Sequence, residues 1–346
     1  MIKVLILAGG KGNRLRPLTV NTPKPIVPIA NIPFLFYQIE QVRKAGLTEI
    51  ILSLSYQPRK IKDLFGDGSQ FGLTIRYTIE EVPLGTAGAV KMAENLIDDT
   101  TVVMNGDILT DLDLQTVIDE HKRRQAAVTI VLKAVRNPAA YGLVETDQDG
   151  HVQRFIEKPK EDEITCDTIN AGTYVLEPGL LKYIPADEEY SFERAFFPTI
   201  LQQHERFFAI TTDAYWLDIG TPFKYLQAHY DIMEGKIALP NFPGTHQKAE
   251  RTNFSGALID KTSLIETDCQ IKPTAVIEHS VIGRGCRIEE GVLVRKSVVW
   301  PGTRIEKRAI LDGCLVGRNC VVGEAAKIHD GKILGDKSII ADYSEI

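Results

Sequence analysis

The chain has no run approaching the roughly 20 consecutive apolar residues that a membrane-spanning helix needs. No secretory leader is expected at its start, since Met1 to Ala8 is apolar only briefly and enters glycines without a basic flank or a small-residue cleavage site. There is no basic excess, since 40 Lys and Arg stand against 46 Asp and Glu for a net charge of −6. That balance argues against a nucleic-acid surface or an anionic-membrane patch, so an anionic ligand needs a local basic motif. Cysteine is sparse and odd in number: Cys166, Cys269, Cys286, Cys314 and Cys320, with no CxxC spacing. A disulfide scaffold and a structural zinc site are both disfavoured, and reduced thiols in a cytoplasmic protein are expected. What is present is ordinary for a soluble globular protein, 44% hydrophobic and 25% charged. At 346 residues the chain is comfortable for two domains.

Two grammars divide it. Residues 1–236 alternate strand-like and helix-like signals: an apolar run at 2–7, helical spacing at 34–45 through Phe34, Tyr37 and Val42 with Gly46 placed to cap it, and a strand at 49–53. Further strands are expected at 73–79, 101–104 and 128–135, with a helix at 85–96. Such alternation implies an α/β, Rossmann-like domain with a mostly parallel sheet. Ligands of such sheets sit beyond the carboxyl ends of the strands, so the loops after Leu7 and Met104 matter most. Residues 237–255, with Pro240, Pro243 and Gly244, read as a linker.

From 256 to 346 the sequence repeats. Rows of seventeen (264–280, 281–297, 298–314, 315–331) align Ile265, Ile282, Val299 and Val316 in one column, and Ile271, Ile288, Ile305 and Val322 in a second. Ile277, Val294, Leu311 and Ile328 form a third. Smaller residues follow four places after the first two columns: Cys269, Cys286, Thr303, Cys320, and Ala275, Val292, Ala309, Ala326. Three short strands per row, with an aliphatic and a small residue inward, predict a left-handed parallel β-helix of hexapeptide repeats. The aligned cysteines then read as compact core fillers, not ligands or nucleophiles.

The first strand runs into Leu7, Ala8, Gly9, Gly10, Lys11, Gly12, Asn13, Arg14 and Leu15. Glycines let the backbone approach a ligand, successive N–H groups can form an anion nest, and Lys11 and Arg14 add charge. No Gly-Lys-Ser/Thr ends this loop, and the third glycine of the dinucleotide fingerprint is missing. Pro23-Lys24-Pro25 then fixes another cation on a stiff segment.

This signature, with Pro17-Leu18-Thr19, resembles that of sugar-1-phosphate nucleotidyltransferases. The resemblance continues through residues 83–88, Asn105-Gly106-Asp107, Tyr141-Gly142, residues 155–159, Asn170-Ala171-Gly172 and residues 216–220. It implies Mg²⁺-assisted, in-line attack of a sugar 1-phosphate on the α-phosphorus of an NTP, with pyrophosphate leaving. By that resemblance residues 7–13 with Glu80, Gly85 and Thr86 hold the nucleotide, while Arg14 and Lys24 meet its phosphates. Lys158 takes the sugar phosphate, and Gly142, Glu157, Asn170 and Gly172 face the sugar. Asp107 and Asp218 would ligate Mg²⁺; taken alone, the first could be a helix N-cap and the second a turn residue.

Pyrimidine-reading branches place a glutamine five residues before the glycine block, where this chain has Glu80 beside Glu81. A carboxylate only accepts hydrogen bonds, matching the N1–H and N2–H₂ donors of guanine; otherwise the pair are solvated loop charges. Residues 85–88 look like the form found in the mannose-1-phosphate branch, so GTP and mannose 1-phosphate are expected. Glucose-1-phosphate thymidylyl or uridylyl transfer is the alternative. An inert sugar-nucleotide-binding regulatory subunit is disfavoured because Arg14, Lys24, Asp107 and Asp218 are all present. An acyltransferase tail using His279 or His329 is disfavoured by the few coils available. The tail is expected to oligomerise the chain.

Overall fold

A computed structural model describes residues 1–242 and 254–346. Residues 243–253, most of the expected linker, lie outside the described residues. The chain packs as two compact units whose borders cross the sequence order: residues 1–10 with 38–216, and residues 11–37 with 217–346.

The first unit is built on a nine-stranded sheet. Its strands are β1 (Lys3–Leu7), β2 (Glu49–Leu54), β3 (Thr74–Ile79), β4 (Thr101–Asn105), β5 (Val128–Ala134), β6 (Gly142–Thr146), β7 (Val152–Glu157), β8 (Thr168–Leu176) and β9 (Phe207–Thr211). The order runs β7-β6-β8-β4-β1-β2-β3, with β5 beside β8 and β9 beside β5. β1 lies at the centre because Val4, Leu5 and Ile6 are apolar on both faces and fully buried. It pairs in parallel with β2 and β4, and β2 with β3. Beyond β4 the sheet turns antiparallel, at β4–β8, β8–β5, β8–β6 and β6–β7, while β9 pairs in parallel with β5. The parallel strands β1 to β4 fit the expected α/β pattern, and the sheet as a whole is mixed.

The two helices that the pattern placed, at 34–45 and 85–96, are present, and others accompany them. α1 (Leu35–Lys44) ends before Gly46, which is left-handed at φ 69°. Here α2 is Pro58–Phe65 and α3 is Gly85–Met92, the latter followed by a 3₁₀ turn at Glu94–Leu96. α4 (Leu114–Arg123) starts at Asp113, whose carboxylate accepts from Gln115 N–H at 2.9 Å. α5 is Phe197–Gln202. Phe192 and Phe207 are buried and stack on Phe197 at centroid distances of 5.5 and 5.3 Å, and buried Phe196 meets it edge to face at 5.8 Å.

In the second unit the C-terminal residues form three five-stranded parallel sheets, with successive strands one coil apart. Val281 pairs with Val298 and Val298 with Leu315, as the seventeen-residue rows require; the last coil carries one extra residue, so Leu315 pairs with Ile333. Ile265, Ile282, Val299 and Val316 point inward and are buried, as are the other two aliphatic columns. The small-residue column makes a ladder: Cys269, Cys286 and Cys320 thiols donate to Gly283, Trp300 and Gly335 carbonyls at 3.2, 3.3 and 3.1 Å. Thr303 fills the same rung, donating to Gly317 O at 2.9 Å. Burial pushes the Cys286 thiol up to about 12, so it stays protonated and serves as a core donor. A parallel ladder runs through serines: Ser263 Oγ accepts from Ser280 N–H, Ser280 Oγ from Ser297 N–H, and Ser297 Oγ from Cys314 N–H, each at 3.1 Å.

The outward residues Val281, Val298 and Leu315 are also buried, so this face of the β-helix is covered. α6 (Pro222–Met233), capped by Thr221, packs there within the same unit: Trp300 Nε1–H donates to Tyr225 OH at 3.2 Å, and Tyr230 OH donates to Lys296 O. Among the described residues no helix is long and apolar enough to cross a membrane.

Candidate active site

Register places the functional ends of the first unit. Leu7 lies opposite Ser53 on one side and Asn105 on the other, and Ser53 opposite Thr78. The glycine turn, Glu80 and Asp107 therefore all leave the same carboxyl edge of the sheet, the edge where α/β sheets bind ligands. Ala8 N–H donates to Ser53 O at 2.8 Å and Gly106 N–H to Leu7 O at 3.0 Å. A Cβ on Gly106 would lie 2.3 Å from Leu7 O, so only glycine lets the Asp107 turn pass this close to β1.

Glu80 is buried, with 8% exposure, and its oxygens are held apart by different donors. Oε1 accepts from Ser53 Oγ at 3.0 Å and Oε2 from Leu84 N–H at 2.9 Å. A Cβ at Gly9 would lie 3.2 Å from Glu80 Oε1, so the carboxylate sits against the glycine turn. It is a fixed group and not a solvated loop charge; Glu81 is exposed. Thr86 faces elsewhere: its hydroxyl donates to Glu193 at 3.0 Å and accepts from Phe192 N–H at 2.8 Å. Gly85 and Thr86 thus tie α3 to the turn at 190–193.

A second group gathers at the ends of β6, β7 and β8. A Cβ on Gly142 would stand 3.1 Å from Glu157 Oε2, and Gly172 N–H donates to Asn170 Oδ1 at 2.8 Å. Asn170 Nδ2 donates to Tyr174 OH, also at 2.8 Å. Lys158 is exposed and left-handed at φ 54°, its N–H donating to Tyr141 O at 3.0 Å. Half-burial raises the Glu157 carboxyl above its ordinary range, and the neighbouring Glu193 carboxylate raises it further. Glu193, which sequence reasoning missed, is anchored by Ser191 Oγ at 2.6 Å as well as by Thr86. Ser191 and Glu193 look in the sequence like a helix cap, which they also form, so no local pattern marks the carboxylate as more.

The second unit holds the remaining candidates. Gly12, left-handed at φ 64°, opens the 3₁₀ turn Asn13–Leu15 that carries Arg14 outward. Its carbonyl accepts from Leu15 N–H at 2.9 Å and Thr19 Oγ1 at 2.7 Å. Lys11 and Asn13 are exposed on this turn, while Lys24 is buried at 6% exposure behind it. Asp218 Oδ1 accepts from Gly220 N–H at 2.7 Å, and Oδ2 faces Lys224 Nζ at 3.3 Å. A Cβ on Gly220 would fall 2.5 Å from Arg14 Nη2 and 2.7 Å from Asp218 Oδ1. Glycine is what allows this guanidinium and this carboxylate, far apart in sequence, to close over one turn. Gly220→Ala is therefore expected to displace Arg14 and lower kcat by about tenfold or more. A steady-state assay beside a circular-dichroism melt checks this: an unchanged kcat in the folded variant would contradict it.

A magnesium ion fits the donor set. In the first unit Asp107 offers a hard carboxylate, and Asn105 Oδ1, two residues before it, is buried with no hydrogen-bond partner among the described residues; in the second unit Asp218 is a carboxylate of the same kind. No group of three or more His, Cys, Asp or Glu residues able to hold a metal occurs among the described residues. Mg²⁺ commonly takes one or two carboxylates together with substrate phosphates, so a prebuilt cage is not required.

Comparisons with known proteins bear on the family and the fold. A family model described as nucleotidyl transferase matches residues 3–235, and one described as the EIF2B subunit epsilon LbH domain, a left-handed β-helix, matches residues 245–346. The chain is 39% identical over 266 residues to a mannose-1-phosphate guanylyltransferase of Mycobacterium tuberculosis, covering 76% of this chain and 73% of that protein. It is 36% identical to a UTP–glucose-1-phosphate uridylyltransferase of Synechocystis, covering 70% and 66% respectively. Among solved structures, HddC from Yersinia pseudotuberculosis complexed with GMP-PN is 35% identical, with a TM-score of 0.57, covering 66% of this chain and 98% of that one.

Proposed function

Because this chain belongs to the nucleotidyl transferase family, we propose that it joins GTP to mannose 1-phosphate, giving GDP-mannose and pyrophosphate. The observation that carries the guanine choice is Glu80, a buried carboxylate fixed against the glycine turn by Ser53 and Leu84. Among the described residues each Glu80 oxygen has one partner and keeps acceptor capacity, which adjacent guanine donors complement and which repels a uracil carbonyl.

In this reading the sugar phosphate oxygen attacks the α-phosphorus, and the α–β bridging oxygen leaves with pyrophosphate. Residues 9–13 present backbone N–H groups to the triphosphate, with Leu7 and Ala8 setting the turn. Arg14 neutralises the leaving phosphates and Lys24 the α-phosphate. Lys158 holds the incoming phosphate, and Gly142, Glu157, Asn170 and Gly172 orient the sugar, joined by Glu193. Asp107 and Asp218 would hold Mg²⁺, which when bound neutralises phosphate charge. Little covalent chemistry falls to the protein, so positioning and charge stabilisation carry the rate. On this reading the enzyme works in the cytoplasm, and its β-helix would assemble copies of the chain.

Pyrophosphate release from GTP, UTP, dTTP and ATP, each with mannose and glucose 1-phosphate, tests the assignment. GTP with mannose 1-phosphate is expected to give the highest kcat/KM. A preference for UTP or dTTP with glucose 1-phosphate would favour the uridylyl relative's chemistry and overturn the base assignment.

A further inference from the structure

One corner of the β-helix departs from its own repeat. The position following the first aliphatic column reads Glu266, Gly283, Trp300, Gly317 and Gly335, so a large aromatic stands where the neighbouring coils above and below carry glycine. Trp300 is buried at 1% exposure although it points out of the coil, and Arg318 of the next coil lies over its ring at 4.8 Å. The guanidinium does not end there. Arg318 Nη1 donates to Thr22 Oγ1 at 2.5 Å, and Thr22 is itself buried two residues before Lys24.

The rest of this corner grips the same segment. Asp336 Oδ1 accepts from Arg318 N–H at 2.8 Å, and Oδ2 accepts from Asn21 Nδ2 at 3.4 Å. A Cβ on Gly335 would lie 3.0 Å from Pro17 Cβ, so the coil and the segment are in close approach. Asn31 Nδ2 donates to Ile282 O at 2.9 Å. From α6, Tyr225 OH, which accepts from Trp300 Nε1–H, donates to Pro28 O, and His229 Nδ1 accepts from Ala30 N–H at 3.1 Å. Residues 17–31 are thereby held at both ends, with Pro23-Lys24-Pro25 between the grips.

We propose that Arg318, stacked on Trp300 and bonded to Thr22, is a positioning residue for transfer: the β-helix corner sets the place of the Lys24 segment. The planar guanidinium is what suits this task, since it stacks on the indole and donates in its own plane at once. The tail is then part of the catalytic apparatus and not an appendage for assembly alone. The inference rests on the proposed activity for its kinetic arm and stands apart from it in its exchange arm.

The test uses the full chain with Arg318→Ala, Arg318→Lys, Thr22→Val and the Arg318→Ala/Thr22→Val double variant. Thr22→Val removes only the hydroxyl and leaves the β-helix untouched, so it guards against a tail that folds poorly. Expected results are a kcat lowered about tenfold in Arg318→Ala and Thr22→Val, with KM for the sugar phosphate within about threefold. The double variant should be no worse than Arg318→Ala, and Arg318→Lys should fall between Arg318→Ala and the parent chain. Hydrogen exchange should quicken at the amides of residues 20–27 in Arg318→Ala, with the strand amides of Val298 and Leu315 unchanged. Unchanged kcat in the folded single variants, additive losses in the double, losses that vanish on cooling the assay, or unaltered exchange at 20–27 would each overturn the proposal. If the parent chain transfers no nucleotide at all, the proposed function fails and the exchange result still decides this inference.

Discussion

Asp218→Asn is expected to lower kcat by about a thousandfold, the loss typical when a charge-stabilising group of the transition state is removed. The substitution is conservative for the fold. Gly220 N–H now bonds to Asp218 Oδ1 at 2.7 Å, and an asparagine carbonyl can accept it equally well. What is lost is the negative charge: Lys224 Nζ, 3.3 Å from Oδ2, would lose its counter-charge, and a hard cation would lose an anionic ligand. Asp218 and Lys224 are partly exposed, so their ion pair contributes little to stability by itself. A melting curve close to that of the parent chain together with near-abolished pyrophosphate release is the expected pair of results. Activity within tenfold of the parent at saturating Mg²⁺ would remove Asp218 from the catalytic set.

Glu80→Gln should change substrate choice more than total activity. Glutamine keeps one carbonyl oxygen for Leu84 N–H and turns an amide toward Ser53 Oγ, which can accept as well as donate, so the loop retains both anchors. Against guanine, however, a donor replaces an acceptor. A lost charge-assisted hydrogen bond with a donor left unpaired costs about 1.5–3 kcal/mol. The kcat/KM for GTP should therefore fall between about tenfold and a hundredfold, while that for UTP holds or rises. Equal losses for both nucleotides would mean that Glu80 only braces the loop.

Much of the fold was legible because its patterns are local and repeat. The β-helix followed from three aliphatic columns, and every residue of those columns lies inside. The cysteines at 269, 286 and 320 are core donors, as their place beside Thr303 in one column suggested. The antiparallel half of the first sheet was not legible, because β6, β7 and β8 carry the same β-branched runs as parallel strands and direction is set by tertiary pairing. For the site, glycines and single charges in ordered blocks pointed to the carboxyl edge of the sheet, the edge from which the glycine turn, Glu80 and Asp107 leave. Glu193 escaped because its cap bonds explain it fully within the sequence. Thr86 was legible as a block member but not as the partner of Glu193, since that bond joins residues with no shared pattern. The packing of residues 11–37 with the β-helix was equally hidden: Arg318 and Thr22 meet only in the folded chain.

Isotopic labelling of GTP separates transfer of the α-phosphoryl-bearing nucleotide to a sugar phosphate from hydrolysis. With mannose 1-phosphate and Mg²⁺ present, label at the α-phosphorus should appear in a sugar nucleotide, and label at the γ-phosphorus in pyrophosphate. Release of γ-label as inorganic phosphate, or of α-label as free nucleoside monophosphate, would mean hydrolysis and contradict the account.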